Sequence, residues 1–405
     1  MGLPLRRWSR GALALGLCTG AAGGVHADEF DTLNFNAGVS VIHDDNVFRL
    51  SAAADPQRLF GKPGRDDLIT VTSAGLRLGK PYSLQRFEID FNAVDYRYRN
   101  FTFLSFTALN YGATWRWSVT PRLTGTLSAS RTEALNSFLD FQAFVRNIRK
   151  DESYRASALY EFDGAWRMLG GVSRIERRNS QPFIQESDNG LTSVEAGARR
   201  VFGSGSHITG TVRHGIGEFF NRAQPLAAAL VDTGYRQNEV EGRLYWYVTA
   251  KTLVDARAGY VARTHANFSQ RDYSGAVANV SLNWSVTGKT SVQATYASEL
   301  SSFQQTSSSF ARVNRVSVGP VWEVDARTVA RARIDYTRRD FLGAVAATPV
   351  NGRSDEFWSA YVGVDWQPQR RVTLSVSLQA DKRSSNIAGV DFRAATLTAG
   401  AQLNF

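Results

Sequence analysis

Cysteine, methionine and long apolar runs are scarce in this chain. Its 405 residues include one cysteine, Cys18, and two methionines, and no apolar run reaches the length of a membrane-spanning helix. A lone thiol can neither close an intramolecular disulfide nor build a thiolate zinc site. The five histidines are scattered along the chain, and no phosphate-binding loop is present. We therefore predict no metal and no cofactor.

The first 27 residues have the pattern of a secretory signal. Arg6, Arg7 and Arg10 form a basic region, Gly11–Leu17 forms an apolar core, and Ala27 fits the small residue at a cleavage site. Cleavage there would leave a mature chain, residues 28–405, with 44 Lys and Arg (47 minus 3) against 37 Asp and Glu, a net charge of +7. The signal predicts that the chain is exported from the cytoplasm. Its cations are not clustered on one element, so we expect no nucleic-acid partner.

Short turns recur along the chain at intervals of 38 to 46 residues. Seven of them follow the same pattern: Val119–Leu123, Phe162–Trp166, Phe202–Ser206, Val248–Thr252, Val286–Thr290, Val324–Thr328 and Gln367–Arg371. An eighth lies at Leu78–Ser83. Each repeat is long enough for one antiparallel hairpin, with a tight turn at one end and a polar loop at the other.

Apolar and polar residues alternate on both sides of these turns. In the segment 274–286 one face carries Ala276, Ala278, Val280, Leu282, Trp284 and Val286, and the other carries glycine, serine and asparagine with one valine. Successive side chains of a strand point to opposite sides, so such a segment can place one face in lipid and the other in water.

The pattern predicts an all-β fold, a transmembrane antiparallel up-and-down β-barrel of about 18 strands over residues 28–405. We expect short periplasmic turns, longer extracellular loops and a location in the bacterial outer membrane. The candidate loops are the polar stretches His43–Asp66, Arg131–Arg149, Arg178–Asn189, Glu218–Arg236, Thr264–Arg271, Ser301–Ser309, Asp340–Ser354 and Arg383–Gly389, with a short one near Asn100.

The inward-facing residues are the candidate functional ones. A barrel of this size encloses an aqueous lumen, and the alternation predicts that it is lined by charged and aromatic side chains. The candidate substrate path comprises Arg155, Arg213, Glu239, Glu241, Arg243, Tyr245, Asp255, Arg257, Arg331, Arg333 and Asp335. Such residues can bind sugar hydroxyls, and a surplus of arginine favours anions. The alternative is that these charges pair and brace the barrel without selecting any solute.

An enzymatic barrel is the remaining alternative. His214 has the alternation of an outward residue near the outer rim, as a lipid hydrolase would need. Its neighbours in sequence are Gly215, Ile216 and Gly217, with no serine and asparagine to complete such a site. We therefore predict no catalytic residues and a protein that is not an enzyme.

The first predicted strand carries a family resemblance. The segment from Gly38 to Arg49, with Asp44, Asp45 and Asn46 followed by an aromatic residue and arginine, resembles the putative β-barrel porin 2 family. Within it, the segment is similar to the EpsL-type outer-membrane proteins associated with exosortase systems. The three polar residues are expected to shape a turn at the loop rim. The last strand, ending in Phe405, resembles the signal recognised by barrel-assembly machinery.

This resemblance implies export of an exopolysaccharide across the outer membrane, and the surplus of arginine favours an anionic one. The implied partners are the polysaccharide, outer-membrane lipids, the barrel-assembly machinery, and separate periplasmic and inner-membrane export components. A general or oligosaccharide-uptake porin is the alternative, and an inward-folded loop, at 131–149 or 218–236, could constrict either channel. An outer-membrane enzyme or a structural scaffold is less favoured.

Overall fold

A computed structural model describes residues 33–139, 144–227, 230–305, 307–345 and 351–405. The predicted signal, residues 1–27, lies outside the described residues. None of the described helices is long and apolar enough to cross a membrane.

Eighteen strands confirm the predicted number. In chain order, β1 to β18 are Leu33–Asp44, Asp67–Tyr82, Gln85–Tyr98, Phe106–Thr120, Leu123–Leu135, Ile148–Glu161, Trp166–Asn179, Asn189–Val201, His207–Phe219, Gly234–Thr249, Thr252–Thr264, Tyr273–Ser285, Thr290–Gln305, Ser308–Glu323, Thr328–Leu342, Ser354–Gln369, Val372–Ser385 and Phe392–Asn404.

The helices are short and lie in loops. The helix α1, Pro56–Phe60, follows Asp55, whose side chain caps it by accepting a hydrogen bond from the backbone N–H of Gln57. It ends at Gly61, which has a positive φ of 71° that glycine adopts without strain. Among the fully described elements, 3-10 turns lie at Thr102–Leu104, Pro182–Ser187 and Ser269–Arg271.

The sheet closes on itself as an antiparallel barrel. Each strand pairs with its sequence neighbours, and β1 pairs with both β2 and β18, so that Val39 lies opposite Thr72 on one side and Ala401 on the other. Closure pairs the backbone hydrogen-bonding groups of β1 and β18, which would otherwise be edge strands. A sheet can cross lipid only in this form, because the hydrocarbon core offers no water to unpaired N–H and C=O groups.

The two faces of the strands differ as the alternation predicts. On the outside, Val240 and Tyr260 lie opposite one another on β10 and β11 and are 61% and 52% exposed. One residue along β10, the inward Glu239 is 6% exposed. The outside of the barrel is therefore an apolar surface without a protein covering, and the lumen wall is polar.

Eight short turns lie at one end of the barrel and nine connections at the other, as predicted. One predicted loop is wrong: β13 continues to Gln305 and β14 begins at Ser308, so the segment Ser301–Ser309 is mostly strand. Its serines and glutamines are polar on both faces because the hairpin extends beyond the apolar surface, where neither face needs an apolar side chain.

The predicted loop Arg131–Arg149 is also shorter than expected. Strand β5 continues to Leu135 and β6 begins at Ile148. The outward residues of these extensions are charged and form ion pairs: Arg131 and Lys150 both bind Glu133. The polar composition here therefore reflects strand ends that leave the membrane, and the loop itself is the segment 136–147.

Candidate functional site

The predicted path residues all lie on the inward face of the barrel. Glu239, for example, stands between the outward Asn238 and Val240 and lies opposite Arg213 of β9. Their orientation agrees with the prediction, and their role as a solute path is a separate question. The structure sorts them into two groups on different parts of the wall.

The first group forms a chain of ion pairs across strands β6 to β11. Arg155 of β6 lies 3.7 Å from Glu195 of β8, and Arg213 of β9 bridges Glu195 at 2.6 Å and Glu239 of β10 at 2.9 Å. Arg257 of β11 then contacts the other oxygen of Glu239, at 2.6 Å. We call this set, together with Glu241, the charge ladder.

The carboxylates of the charge ladder are more buried than its cations. Glu239 and Glu241 are 6% and 5% exposed, and Glu241 lies 2.6 Å from Nε of Arg257. A carboxylate removed from water needs charged partners, and each of these shares one guanidinium with its neighbour. The sharing couples the positions of Arg213 and Arg257, because both contact Glu239.

Glu195 was missing from the predicted path residues. It lies opposite Arg213 and Gly171, between the outward Val194 and Ala196. The alternation around it was a usable signal, but β8 also carries a glycine at 197 and two arginines at its turn end, which blur the pattern. Without Glu195, Arg155 would not be connected to the rest of the ladder.

Below the charge ladder, toward the short turns, the wall becomes aromatic. Arg243 of β10 pairs with Asp255 of β11. Next along β10, the ring of Tyr245 stacks on His207 with centroids 4.9 Å apart, and its hydroxyl lies 3.4 Å from that of Tyr247. The inward face of β10 therefore presents carboxylates, a guanidinium and then phenols in order along the lumen.

The second group of predicted residues lies four strands away, on β15 and β16. Arg331 pairs with Asp365, and Nε of Arg333 lies 2.7 Å from Asp335. The guanidinium of Arg333 also faces the ring of Tyr361 at 5.7 Å. This group and the charge ladder stand on different strands, β15 and β16 against β6 to β11, so the predicted residues line two separate strips of the lumen.

The described residues 136–139 of the β5–β6 loop fold into the lumen. Leu139 packs against Phe392 and Ala394, which lie on the inward face of β18, and Phe357 of β16 joins this contact. The backbone carbonyl of Leu139 accepts a hydrogen bond of 2.5 Å from Nη1 of Arg383 on β17. A loop that leaves the wall at β5 and meets it again at β16 to β18 spans part of the lumen cross-section.

A second loop, 45–66, closes around the same side of the mouth. Phe48 is fully buried and contacts Phe101 of the β3–β4 loop at 4.8 Å and Phe138 of the inward loop at 4.7 Å between ring centroids. Aromatic pairs at such distances stabilise one another beyond their burial. We call this set the mouth cluster; its buried members are Ile42, Val47, Phe48, Leu50, Ile69, Tyr98, Phe101, Leu104 and Phe138.

The polar motif of the first strand holds this loop in place. Asn46 donates through its side chain to the carbonyl oxygens of Leu50 and Arg393, both at 2.9 Å. Asp45 accepts from the backbone N–H of Ala395 at 2.7 Å, and Asp44 pairs with Arg49 at 2.7 Å. The motif therefore shapes the loop rim, as predicted, and ties it to β18.

His214 lies on the outward face, as the alternation predicted. Its Nδ1 is 2.7 Å from the side-chain oxygen of Asn238 on the neighbouring strand. This contact gives the ring a structural partner at the outer rim.

Comparisons with known proteins agree with this architecture. Residues 243–405 match the family model described as "Putative beta-barrel porin 2". No curated protein matches the chain significantly.

Solved porins have the same fold at low sequence identity. OccK1 (OpdK) of Pseudomonas aeruginosa is 11% identical, with 92% of this chain and 99% of that chain covered and a TM-score of 0.50. A BenF-like porin from Pseudomonas fluorescens Pf-5 is 10% identical, with 93% and 99% covered and a TM-score of 0.52.

One conclusion follows from the closed 18-stranded barrel, its apolar outer surface, its polar lumen and the family match. The match covers the part of the chain that contains β11 to β18 and the last seven residues of β10. A sheet that is closed, apolar outside and wet inside is the form in which β-proteins cross the outer membrane. The chain is a porin-like β-barrel of the bacterial outer membrane, with its residues 243–405 matching a porin family.

Proposed function

We propose that this barrel is a passive channel through which small hydrophilic solutes enter the periplasm. The observation that carries this proposal is the inward β5–β6 loop, whose Leu139 is held by Arg383 of β17, six strands away from β5 around the closed barrel. An 18-stranded barrel without such a loop leaves a wide aqueous lumen. A loop across the lumen reduces the free cross-section and favours solutes of small size over a polymer.

The charge ladder supports a weakly selective passage. Arg213 and Arg257 each contact two carboxylates, so their charges are compensated along the wall. A compensated wall still offers hydrogen-bonding groups to a passing solute but holds neither anions nor cations tightly. Conduction requires this balance, because a solute that binds strongly does not leave.

Export of an exopolysaccharide, which the family resemblance implies, stays a prediction and is the less favoured function. The inward loop and the mouth cluster occupy the outer end of the lumen, where a growing polymer would have to leave. The same resemblance implies periplasmic and inner-membrane export components and recognition by barrel-assembly machinery, and these partners stay predictions too. The porin-like fold and family agree with a channel that is not an enzyme.

Solute-size exclusion in proteoliposomes tests the proposal. Purified barrel would be placed in liposomes, and swelling rates would be compared for glucose, maltose, raffinose and a long dextran. Vanillate, with which OpdK of Pseudomonas aeruginosa was crystallised, is a suitable small anion for the same series. We expect swelling to fall steeply with size and to vanish for dextran.

A variant with residues 137–146 replaced by a short Gly-Ser linker separates the two functions. If the loop sets the size limit, this variant admits larger sugars, while a variant with a linker in the β13–β14 turn behaves as wild type. Swelling of wild-type liposomes in long dextran would contradict a small-solute channel and favour export. If no solute caused swelling, both the small-solute channel and polysaccharide export would be contradicted.

A further inference from the structure

The short turns repeat a cation at one position. In five of the eight turns a lysine or arginine follows a tryptophan by five residues: Trp117 and Arg122, Trp246 and Lys251, Trp284 and Lys289, Trp322 and Arg327, and Trp366 and Arg371. All five cations are exposed. Those of three consecutive turns, Lys251, Lys289 and Arg327, recur every 38 residues, which is once per hairpin. We call these five residues the cation rim.

The backbone of these turns is fixed by a side chain two residues before the cation. Its oxygen accepts a hydrogen bond from the backbone N–H of the cationic residue: Thr249 from Lys251 at 3.1 Å, Thr287 from Lys289 at 3.1 Å and Asp325 from Arg327 at 2.7 Å. The β6–β7 turn has the same bond without a cation, because Asp163 accepts from Ala165 at 2.8 Å. The turn geometry therefore does not depend on the charged side chain.

The register places the cation rim on the lumen side of the turns. Each rim carbonyl accepts a hydrogen bond of 2.8 or 2.9 Å from a backbone N–H of the neighbouring hairpin: Arg122 from Glu161, Lys251 from Ser285, Lys289 from Glu323, Arg327 from Gln367 and Arg371 from Asn404. One step along β11, Thr252 lies opposite the outward Trp284. Because side chains alternate, Lys251 and Ser285 belong to the lumen-facing row. The same alternation applies at the other four turns.

Four of the rim cations lie on adjacent turns, those of the hairpins β10–β11, β12–β13, β14–β15 and β16–β17. Adjacent turns are two strands apart, which is about 10 Å across the sheet. This spacing equals the Debye length of about 10 Å at 0.1 M salt, so the fields of neighbouring cations overlap at that ionic strength. The cations therefore act together along one side of the periplasmic opening.

Carboxylates at this end reduce the positive charge without cancelling it. Those in the short turns or flanking them are Glu161, Asp163, Glu323 and Asp325. Glu161 is held by Arg167 at 2.9 Å. The rim cations, together with Arg167 and the neighbouring Arg370, outnumber these carboxylates. The periplasmic opening is therefore positive, whereas the charge ladder deeper in the lumen is compensated.

We propose that the cation rim gives the channel a preference for small anions, inorganic anions and small carboxylates among them, by concentrating them at the periplasmic opening. This inference rests on the proposed channel function and names its substrate class. Charged side chains around a pore favour ions of the opposite sign. In water, one unit charge raises the concentration of a monovalent anion about 10 Å away by roughly twofold before screening.

Reversal potentials and current–voltage curves in planar bilayers test the proposal on the full-length barrel. Under a potassium chloride gradient, the wild type should be more permeable to chloride than to potassium. Because the rim lies at one end, the current should rectify in dilute salt and become symmetric in about 1 M salt, where the Debye length is about 3 Å. Inorganic tripolyphosphate should reduce the anion preference from one side of the bilayer at lower concentration than from the other.

Two double variants remove equal charge from the two faces of the turn end. Lys251→Gln/Lys289→Gln should lower the chloride-to-potassium permeability ratio by about twofold or more. Lys80→Gln/Arg200→Gln should leave it unchanged, because these exposed residues lie opposite the outward Phe87 and Trp166. Heat-modifiable migration on gels verifies that each variant is folded.

A third variant adds a cation where the same turn lacks one. Ala165→Lys keeps the bond from the backbone N–H to Asp163 and introduces a charge at the position equivalent to Lys251. It should raise the chloride-to-potassium permeability ratio above that of the wild type. This gain does not require the removal of any native side chain, so it tests the position directly.

The outcomes separate the rim from the channel. Equal permeability of the wild type to both ions, equal shifts in the two double variants, or equal action of tripolyphosphate from both sides would overturn the proposal and leave the channel function standing. Anion preference with passage of long dextran would support the rim and contradict a small-solute channel. The absence of any conductance would overturn both.

Discussion

Arg383 and Leu139 are joined by a hydrogen bond although 244 positions separate them in the chain. Arg383 belongs to the wall of the barrel at β17, whereas Leu139 belongs to the loop that leaves the wall at β5. The guanidinium is 1% exposed and also lies over the ring of Phe392, at 5.1 Å. This contact holds the inward loop against a part of the wall that lies six strands away from β5 around the barrel.

Replacing Arg383 with alanine is expected to release the inward loop. The carbonyl of Leu139 would lose its buried donor, at a cost of about 1–3 kcal/mol, and would turn toward water. Single-channel recordings in planar bilayers should then show a higher and noisier conductance than the wild type. Arg315→Ala is a matched control, because Arg315 also faces the lumen but donates to Thr337 of the neighbouring strand. Equal conductance of wild type and Arg383→Ala would rule out the loop as the constriction.

Removing the carboxylates of the charge ladder is expected to make the channel anion-selective. Glu239→Gln/Glu241→Gln would leave Arg213 and Arg257 with fewer negative partners. The lumen wall would then gain net positive charge, which concentrates anions and repels cations. Reversal potentials under a salt gradient should shift toward the anion equilibrium potential, and high salt should reduce the shift by screening.

The control for this change removes the same charge on the other side of the wall. Glu133→Gln/Glu176→Gln changes two carboxylates of the outer face at the loop end. Its reversal potential should stay at the wild-type value. If both double variants shift equally, the effect is one of total charge, and the ladder does not line the conduction path.

Truncating Phe48 is expected to open the mouth without unfolding the barrel. Phe48→Ala would leave a cavity among Phe101, Phe138 and the other rings of the mouth cluster, and burial of a phenylalanine is worth about 3–5 kcal/mol. The barrel strands do not depend on this cluster for their backbone pairing. We therefore expect faster cleavage of loops 45–66 and 136–147 by protease with unchanged heat-modifiable migration. Faster loss of the folded band instead would show that the cluster supports the barrel itself.

The strands and their orientation could be predicted from the sequence because strand geometry is local. Side chains alternate between the two faces at every residue, so Leu244 and Tyr245 had to point in opposite directions whatever the rest of the fold. The same rule placed the charge-ladder residues other than Glu195 inward. It could not tell which of them pair, since Arg213 and Glu195 meet only through the register of β8 and β9.

The sequence named 131–149 and 218–236 as candidate inward loops but could not decide between them, because the path of a loop depends on contacts between distant parts of the chain. Nothing in the composition around Leu139 distinguishes an inward loop from an external one; its partners Arg383 and Phe392 lie far along the sequence. The strand ends were missed for a different reason. Beyond the apolar surface both faces are polar, as in Ser301–Ser309, so alternation disappears while backbone pairing continues.

Acid is expected to loosen the loop 265–272 through His265. The imidazole has no exposed side-chain surface, its Nδ1 lies 3.1 Å from Asp272, and Tyr235 lies beside it with ring centroids 6.1 Å apart. Burial, assisted by the nearby positive charge of Arg263, holds the pKa of His265 below its ordinary value of 6.5, although Asp272 and Asp232 act in the opposite direction. The opened loop therefore takes up a proton at a higher pH than the closed loop.

The sign of this effect follows from proton linkage. The contribution of His265 to loop stability is fully present above pH 6.5, where the ring is neutral in both forms. As the pH falls below 6.5 toward the lowered pKa, the open form is protonated first, and stability is lost. Amide hydrogen exchange of residues 265–272, corrected for intrinsic rates, should thus accelerate on acidification. His265→Gln cannot take up this proton, so its exchange should be independent of pH over the same window; an equal acceleration in this variant would assign the effect to another group.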